Sequence, residues 1–107
     1  MTLDQIIDGY YVEAGYDGVD MWQIASRAKR DLGARTRDET IVFGLEIARR
    51  LYERGVRPAD YQGGPDFHFW PDEGCQAMLD RIRREWIALG QDPMYVSQIC
   101  SFFLPRT

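Results

Sequence analysis

The chain has 107 residues, of which 45% are hydrophobic and 28% are charged, so we expect one compact domain over residues 1–107. Thirteen basic residues against 17 acidic ones leave a net charge of −4, which argues against a nucleic-acid binder. No stretch approaches the roughly 18 apolar residues of a membrane span, and the acidic start lacks the pattern of a signal peptide. We therefore expect a cytoplasmic protein in which Cys75 and Cys100 are reduced thiols, although the sequence leaves a bridge between them open.

Three helix starts carry the spacing of a capping box, in which an N-cap residue is followed three positions later by Glu or Gln. The pairs are Thr2 with Gln5, Asp20 with Gln23 and Thr36 with Glu39. Apolar residues at helical spacing, followed by a glycine, extend these starts into helices over about 3–14, 20–32 and 37–54. The third helix has the widest apolar stripe, so we expect it to be the central helix.

The second half of the chain is predicted to hold a fourth helix and two short strands. Residues 59–66 are rich in turn-forming residues and are expected to form a loop. The aromatic run 67–70 and the apolar segment 98–104 are typical of strands, and a lone strand would leave its backbone groups unpaired. The fourth helix is expected to open at Pro71 and to end at Gly90. The predicted fold class is mainly α (α+β), with about four helices and a small two-stranded antiparallel ribbon formed by those two strands. The three tryptophans, Trp22, Trp70 and Trp86, are expected in the core.

Six short sequence motifs follow one another over about residues 17–104. They are Asp20-Met21-Trp22-Gln23-Ile24, Leu51-Tyr52-Glu53-Arg54-Gly55, Phe67-His68-Phe69-Trp70-Pro71, Arg81-Ile82-Arg83-Arg84-Glu85-Trp86, Leu89-Gly90-Gln91-Asp92-Pro93 and Ile99-Cys100-Ser101-Phe102. As an ordered series, they resemble a group of small bacterial proteins of unassigned activity. The resemblance implies a shared fold and a bacterial origin, and it brings no catalytic residue with it.

The sequence carries no complete signature of a catalytic or cofactor site. His68 is the only histidine, which excludes a metal cluster built from several histidines. The run Gly63-Gly64-Pro65 lacks the lysine and the helix start of a phosphate-binding loop. A Cys–His pair of Cys75 with His68 stays open, because a helix N-terminus lowers the pKa of a thiol. Cys75 also falls on the apolar stripe of its helix, so we predict a non-enzymatic protein with no catalytic residue, no metal and no cofactor.

The charge is distributed unevenly along the chain. Residues 1–26 carry −5, residues 27–57 carry +4 and residues 58–107 carry −3. Tyrosines are interspersed among the first acidic residues, and tyrosine is enriched at protein interfaces. We therefore predict a protein–protein interaction module, of the immunity or adaptor type, that presents this region to a basic partner. Its predicted contact residues are Asp8, Tyr10, Tyr11, Glu13, Tyr16 and Asp17.

The basic middle third supports an alternative function, a helix-turn-helix or winged-helix-like DNA-binding protein that uses residues 20–54. The four-residue connection Gly33-Ala34-Arg35-Thr36 has the length found between the two helices of such proteins. The candidate DNA-binding residues are Arg27, Arg30, Arg35 and Arg37. Asp38 and Glu39 would face phosphates at the start of the recognition helix, so protein binding is preferred.

Overall fold

The computed structural model describes residues 1–105, which form four helices and one four-stranded antiparallel sheet. The helices are α1 (Leu3–Ala14), α2 (Met21–Asp31), α3 (Arg37–Glu53) and α4 (Cys75–Leu89). The strands are β1 (Val19–Asp20), β2 (Arg57–Tyr61), β3 (Phe67–Phe69) and β4 (Ser101–Phe103). The predicted α+β class with four helices is thus confirmed. Within residues 1–105, no helix combines the length and the apolar character that crossing a membrane requires.

Local hydrogen bonds explain why α1, α2 and α3 begin where the capping boxes predict. The Thr2 hydroxyl oxygen accepts from the Gln5 backbone N–H at 3.2 Å, and the Gln5 side chain accepts from the Thr2 N–H at 2.9 Å. The same reciprocal pair joins Thr36 to Glu39 at the start of α3. At the start of α2, the Asp20 N–H donates to the side chain of Gln23 at 2.8 Å. Each of these bonds satisfies a backbone donor that the helix itself leaves unpaired.

The third helix, α3, is the central helix, as predicted. It packs against α1, α2 and α4, and its residues Ile47, Ala48 and Leu51 are fully buried. A glycine on α3, Gly44, lets the ring of Trp86 from α4 approach the helix backbone. This contact places Trp86, which is 0% exposed, at the junction of α3 and α4.

The sheet differs from the predicted two-stranded ribbon. Its strand order is β1-β4-β2-β3, so β3 and β4 both pair with β2 rather than with each other. The prediction that residues 67–70 pair directly with residues 98–104 is therefore wrong. The physical reason is β2, which lies mostly in the segment predicted to be a loop and satisfies the backbone groups of both strands. On its other side, β4 pairs with β1 through Val19 and Asp20.

The fourth helix begins later than predicted, at Cys75 rather than at Pro71. The chain turns at Gly74, whose φ of +99° suits glycine because it has no Cβ. The Asp72 carboxylate accepts from the Gly74 N–H at 3.1 Å and from the Tyr52 hydroxyl at 2.7 Å. Asp72 therefore fixes the loop before α4 to the end of α3 instead of opening the helix. The predicted end at Gly90 is confirmed, and this residue has the left-handed conformation of a helix terminus.

Candidate functional site

Contacts within the protein occupy part of the acidic, tyrosine-rich surface predicted on the first helix. Tyr10 is 5% exposed, and its hydroxyl donates to the backbone oxygen of Gln23 at 3.1 Å. An Asp8 carboxylate oxygen lies 2.6 Å from a guanidinium nitrogen of Arg54, and the same guanidinium lies 4.2 Å from the ring centre of Tyr11. Tyr10 is therefore a core residue rather than a contact residue, since its ring is buried. Asp8 and Tyr11 hold α1 against the end of α3.

Four of the six predicted contact residues are exposed: Asp8, which pairs with Arg54, and three residues near the end of α1. Glu13, Tyr16 and Asp17 lie at the end of α1 and in the turn that follows. Tyr16 is 78% exposed, and the turn is closed by backbone bonds from Tyr16 and Gly18 to the Glu13 oxygen at 2.9 and 3.0 Å. This end of α1 is an acidic, aromatic surface, smaller than the one the sequence predicts.

The four arginines of the DNA-binding alternative do not form one open cationic surface. Arg27 pairs with Asp31 at 2.8 Å within α2. Arg37 turns away from the α2–α3 connection and donates to the backbone oxygens of Trp86 and Ile87 at the end of α4. Of the four, only Arg30 and Arg35 are exposed.

A tryptophan that the sequence places in the core is exposed instead. Trp22 on α2 is 39% exposed, whereas Trp70 and Trp86 are 8% and 0% exposed. The indole N–H of Trp22 donates to one carboxylate oxygen of Asp20 at 3.2 Å. The other oxygen of Asp20 accepts from the hydroxyl of Ser101, which is itself 0% exposed. The exposed ring is thereby held in one orientation by a group anchored in the sheet.

An open groove of about 490 Å³ runs between α2 and the loop that follows α4. We call it the Trp22 groove; it is lined by Trp22, Ala25, Ser26, Lys29, Arg30, Pro93 and Met94. Met94 is 61% exposed and its neighbour Tyr95 is 62% exposed. The turn that carries them is fixed by the side chain of Gln98, which accepts from the N–H groups of Met94 and Tyr95 at 2.6 and 3.1 Å. Both walls of the groove are therefore positioned by hydrogen bonds.

A second, smaller groove of about 190 Å³ lies on another side of Trp22. Its lining includes Glu13 from α1 together with Arg27 and Arg30 from α2. Trp22 thus stands between two depressions, and Glu13 connects this region to the exposed acidic end of α1.

Another cavity lies beside the start of α4, and three of its charged lining residues, Arg57, Asp72 and Arg81, are already paired within the protein. The guanidinium of Arg57 lies 3.7 Å from the ring centre of Tyr52 and 3.2 Å from a carboxylate oxygen of Asp72. The guanidinium of Arg81 lies 3.6 Å from the ring centre of Trp70. The hydrogen bond from Tyr52 lowers the pKa of the Asp72 carboxyl, and the same bond raises the pKa of Tyr52. These stacked pairs join β2 and the loop before α4 to helices α3 and α4. We therefore assign these residues a role in holding the fold together.

Neither cysteine is placed as an activated nucleophile. Both are free thiols, Cys100 buried and Cys75 half-buried. Burial raises the pKa of the Cys75 thiol and raises that of Cys100 strongly, the opposite of the lowering expected of a reactive thiolate. Across residues 1–105, no three His, Cys, Asp or Glu side chains are grouped closely enough to hold a metal ion.

Comparisons of the chain with models of known protein families, with curated protein sequences and with solved structures yield no match. The resemblance to a group of small bacterial proteins therefore stays a prediction. The candidate site is therefore argued from the geometry and chemistry of this chain's own residues.

Sequence reasoning missed Trp22 and Met94 as surface residues, although a signal for Trp22 was present. The buried face of α2 consists of Met21, Ile24, Ala25 and Ala28. Trp22 is four, seven and eight positions before Ser26, Lys29 and Arg30, which places it on the polar face of the same helix. A large aromatic residue on the polar face of a helix is expected to be exposed rather than in the core.

Proposed function

We propose that this protein is a protein–protein interaction module, of the adaptor or immunity type, whose contact surface is centred on Trp22. The observation that carries the proposal is an exposed tryptophan whose ring is held by Asp20. Tryptophan and methionine are enriched at interfaces, and tryptophan is prominent among the residues that dominate binding energy. A side chain whose orientation is already restrained loses less conformational entropy on binding.

The exposed end of α1 extends this surface. Glu13 lines the groove on one side of Trp22, and Tyr16 and Asp17 follow it in the turn after α1. The negative charges of Glu13 and Asp17 favour a basic region of the partner at this end. The partner itself is therefore proposed to contact α1 and α2 together.

The proposal is tested by site-specific photo-crosslinking of the full chain in cells that express it. A photoreactive amino acid replaces Met94 in one variant and Gln76 in another. Gln76 is exposed at the start of α4, roughly 20 Å along the helix from the end that leads into the groove. We expect one protein to crosslink from position 94 and not from position 76.

A pair of aromatic variants provides the matched control. Trp22 and Phe69 are 39% and 40% exposed, and Phe69 lies on the edge strand farthest from β1. Trp22→Ala should abolish the crosslink from position 94, while Phe69→Ala should leave it unchanged. Crosslinking that is equal from both positions, or that survives Trp22→Ala, would show that this surface is not the binding surface. Salt-sensitive retention on duplex DNA, weakened by alanine at Arg30 and Arg35, would favour the DNA-binding alternative instead.

A further inference from the structure

The charged residues that line the Trp22 groove are both cations. They are Lys29 and Arg30, and no acidic residue is among the lining residues. The ammonium of Lys29 lies 2.6 Å from a carboxylate oxygen of Asp92. Arg30 is exposed and makes no ion pair with any residue in 1–105. Lys29 is therefore held in place by Asp92, whereas Arg30 is exposed to solvent.

Asp92 does not offset the charge of Arg30. Its side chain is 18% exposed, and its other carboxylate oxygen accepts from the buried indole N–H of Trp86 at 3.1 Å. Both oxygens of Asp92 are thus engaged by Lys29 and Trp86. Lys29 is offset by Asp92, so Arg30 is the charged lining residue of the Trp22 groove that has no ion-pair partner within residues 1–105.

The remaining walls of the groove are largely apolar. Trp22 and Ala25 line it from α2, and Pro93 and Met94 line it from the loop after α4. Trp22 and Arg30 are eight residues apart on α2, which is about 12 Å at the helical rise of 1.5 Å per residue. A large apolar side chain seated between Trp22 and Met94 would place residues a few positions away within reach of the Arg30 guanidinium.

Resting on the function proposed above, we infer that the Trp22 groove binds an acidic segment of the partner protein that inserts one large apolar side chain. The apolar side chain fills the space between Trp22 and Met94, and carboxylates beside it pair with Arg30. Arginine suits this pairing because its planar guanidinium binds a carboxylate through two hydrogen bonds. The phosphate backbone of a nucleic acid would satisfy Arg30 but would leave the apolar walls exposed.

The test uses a random library of 12-residue peptides displayed on phage, selected on the full-length chain. The selected peptides should contain a large apolar residue next to two or more Asp or Glu residues. Synthetic copies should bind about 30-fold more weakly to Trp22→Ala, the loss expected of a central contact residue. They should bind about tenfold more weakly to Arg30→Glu, since a like charge would then face the peptide carboxylates.

Arg84→Glu is the matched charge control. Arg84 is exposed on α4 and does not line the groove, so this variant carries the same change in net charge and should bind the peptides as the original chain does. Selected peptides that are basic or neutral, a selection that yields no peptide, or equal losses for the Arg30 and Arg84 variants would each overturn the inference. The proposed function is judged separately, by the crosslink from position 94. A Trp22-dependent crosslink without acidic peptides would refute this inference alone, whereas the absence of any crosslink from position 94 when Trp22 is present would refute the proposed function.

Discussion

The ring of Trp86 occupies the space that a side chain on Gly44 would need. A Cβ built on Gly44 would lie 2.6 Å from both Cη2 and Cζ3 of Trp86. Carbon atoms do not approach this closely, and Trp86 is fully buried with its indole N–H bonded to Asp92. The ring therefore has little freedom to move aside.

Gly44→Ala should lower the free energy of unfolding by about 1–3 kcal/mol, the usual effect of forcing extra volume into a packed core. The measurement is urea unfolding followed by far-ultraviolet circular dichroism. Gly9→Ala is the matched control, since Gly9 lies in the middle of α1 with nothing within 4 Å of its added Cβ. That variant should be more stable by about 0.5–1 kcal/mol because alanine favours the helix. Equal effects of the two substitutions would contradict the proposed packing at Gly44.

Arg37 supplies a positive charge to the end of a helix that lacks one of its own. The last turn of α4 contains no basic residue, and the Arg37 guanidinium donates to two of its carbonyl oxygens. Arg37→Met should destabilise the protein by about 1.5–3 kcal/mol, the range for hydrogen bonds from charged groups. The loss should be near the lower limit of this range. The Arg37 Nε is buried without a hydrogen-bond partner among residues 1–105, and removing it also removes the cost of burying that donor. Arg35→Met, at an exposed position, should change stability by less than about 0.5 kcal/mol. A loss at Arg37 no larger than at Arg35 would show that the cap is dispensable.

The bond between Tyr52 and Asp72 should affect stability at acid pH. The hydrogen bond from Tyr52 lowers the pKa of the Asp72 carboxyl. A carboxyl whose pKa is lower in the folded state stabilises the protein above its ordinary pKa, and this contribution is lost as the pH falls through the lowered value. Tyr52→Phe should raise the pKa of Asp72. The variant should therefore lose less free energy of unfolding than the original chain when the pH falls below about 4, because less of its stability depends on an ionised Asp72. The measurements are a carboxyl NMR titration and urea unfolding at pH 7 and pH 3. Tyr16→Phe, on an exposed ring, is the control and should change neither the Asp72 titration nor the stability at pH 3. An unaltered Asp72 titration in the Tyr52 variant would contradict the hydrogen bond between Tyr52 and Asp72.

Thiol reactivity should separate the two cysteines. Burial raises the pKa of both thiols, most strongly at Cys100, so fewer thiolates are present at neutral pH. In the folded protein, iodoacetamide should modify Cys75 more slowly than a free thiol and should leave Cys100 unmodified until urea unfolds the chain. Peptide mapping by mass spectrometry identifies the modified residue. Alkylation of Cys75 faster than a free thiol would reopen the Cys–His alternative with His68.

The helices were predictable because the signals that define them are local. Thr2, Asp20 and Thr36 each begin a helix with a partner three residues away, and that partner lies in the same stretch of sequence. The start of α4 was not predictable in this way, since Asp72 bonds to Tyr52 from another helix. A carboxylate beside a proline looks the same in sequence whether it caps its own helix or binds a distant hydroxyl.

The sheet was only partly predictable. The strands at 67–69 and 101–103 are aromatic or apolar, and both were expected. The strand β2 contains Pro58 and precedes Gly63 and Gly64, so its composition indicates a loop. Pro58 has no N–H to donate, but its carbonyl accepts from the Trp70 N–H at 3.0 Å, so this part of β2 stays linked to the chain after β3. The pairing of β2 with β4 joins residues more than 40 positions apart, so no pattern within either segment predicts it.

The exposure of the predicted contact residues was predictable for the acidic residues and for Tyr16 in its turn, but not for Tyr10. Glu13 and Asp17 are exposed, as expected of acidic residues. Tyr10 was mistaken for a contact residue, although it lies four and three positions after Ile6 and Ile7 on the apolar face of α1. Trp22 was assigned to the core although its spacing to polar residues places it on the polar face of α2, so this error came from weighing the size of the ring above its position.

The position of β4 in the sheet has a consequence for biosynthesis. This strand lies between β1 and β2, although it is the last strand along residues 1–105. The ribosome therefore completes every helix and the other three strands before the strand that joins β1 to the rest of the sheet exists. Until Ser101–Phe103 emerges, β1 and β2 each expose an unpaired edge, and the carboxylate of Asp20 lacks the Ser101 hydroxyl that anchors it. A nascent chain stalled before these residues should be sensitive to proteases and should present Trp22 without the Ser101-anchored carboxylate that restrains it, so the proposed binding surface is complete only once β4 has emerged.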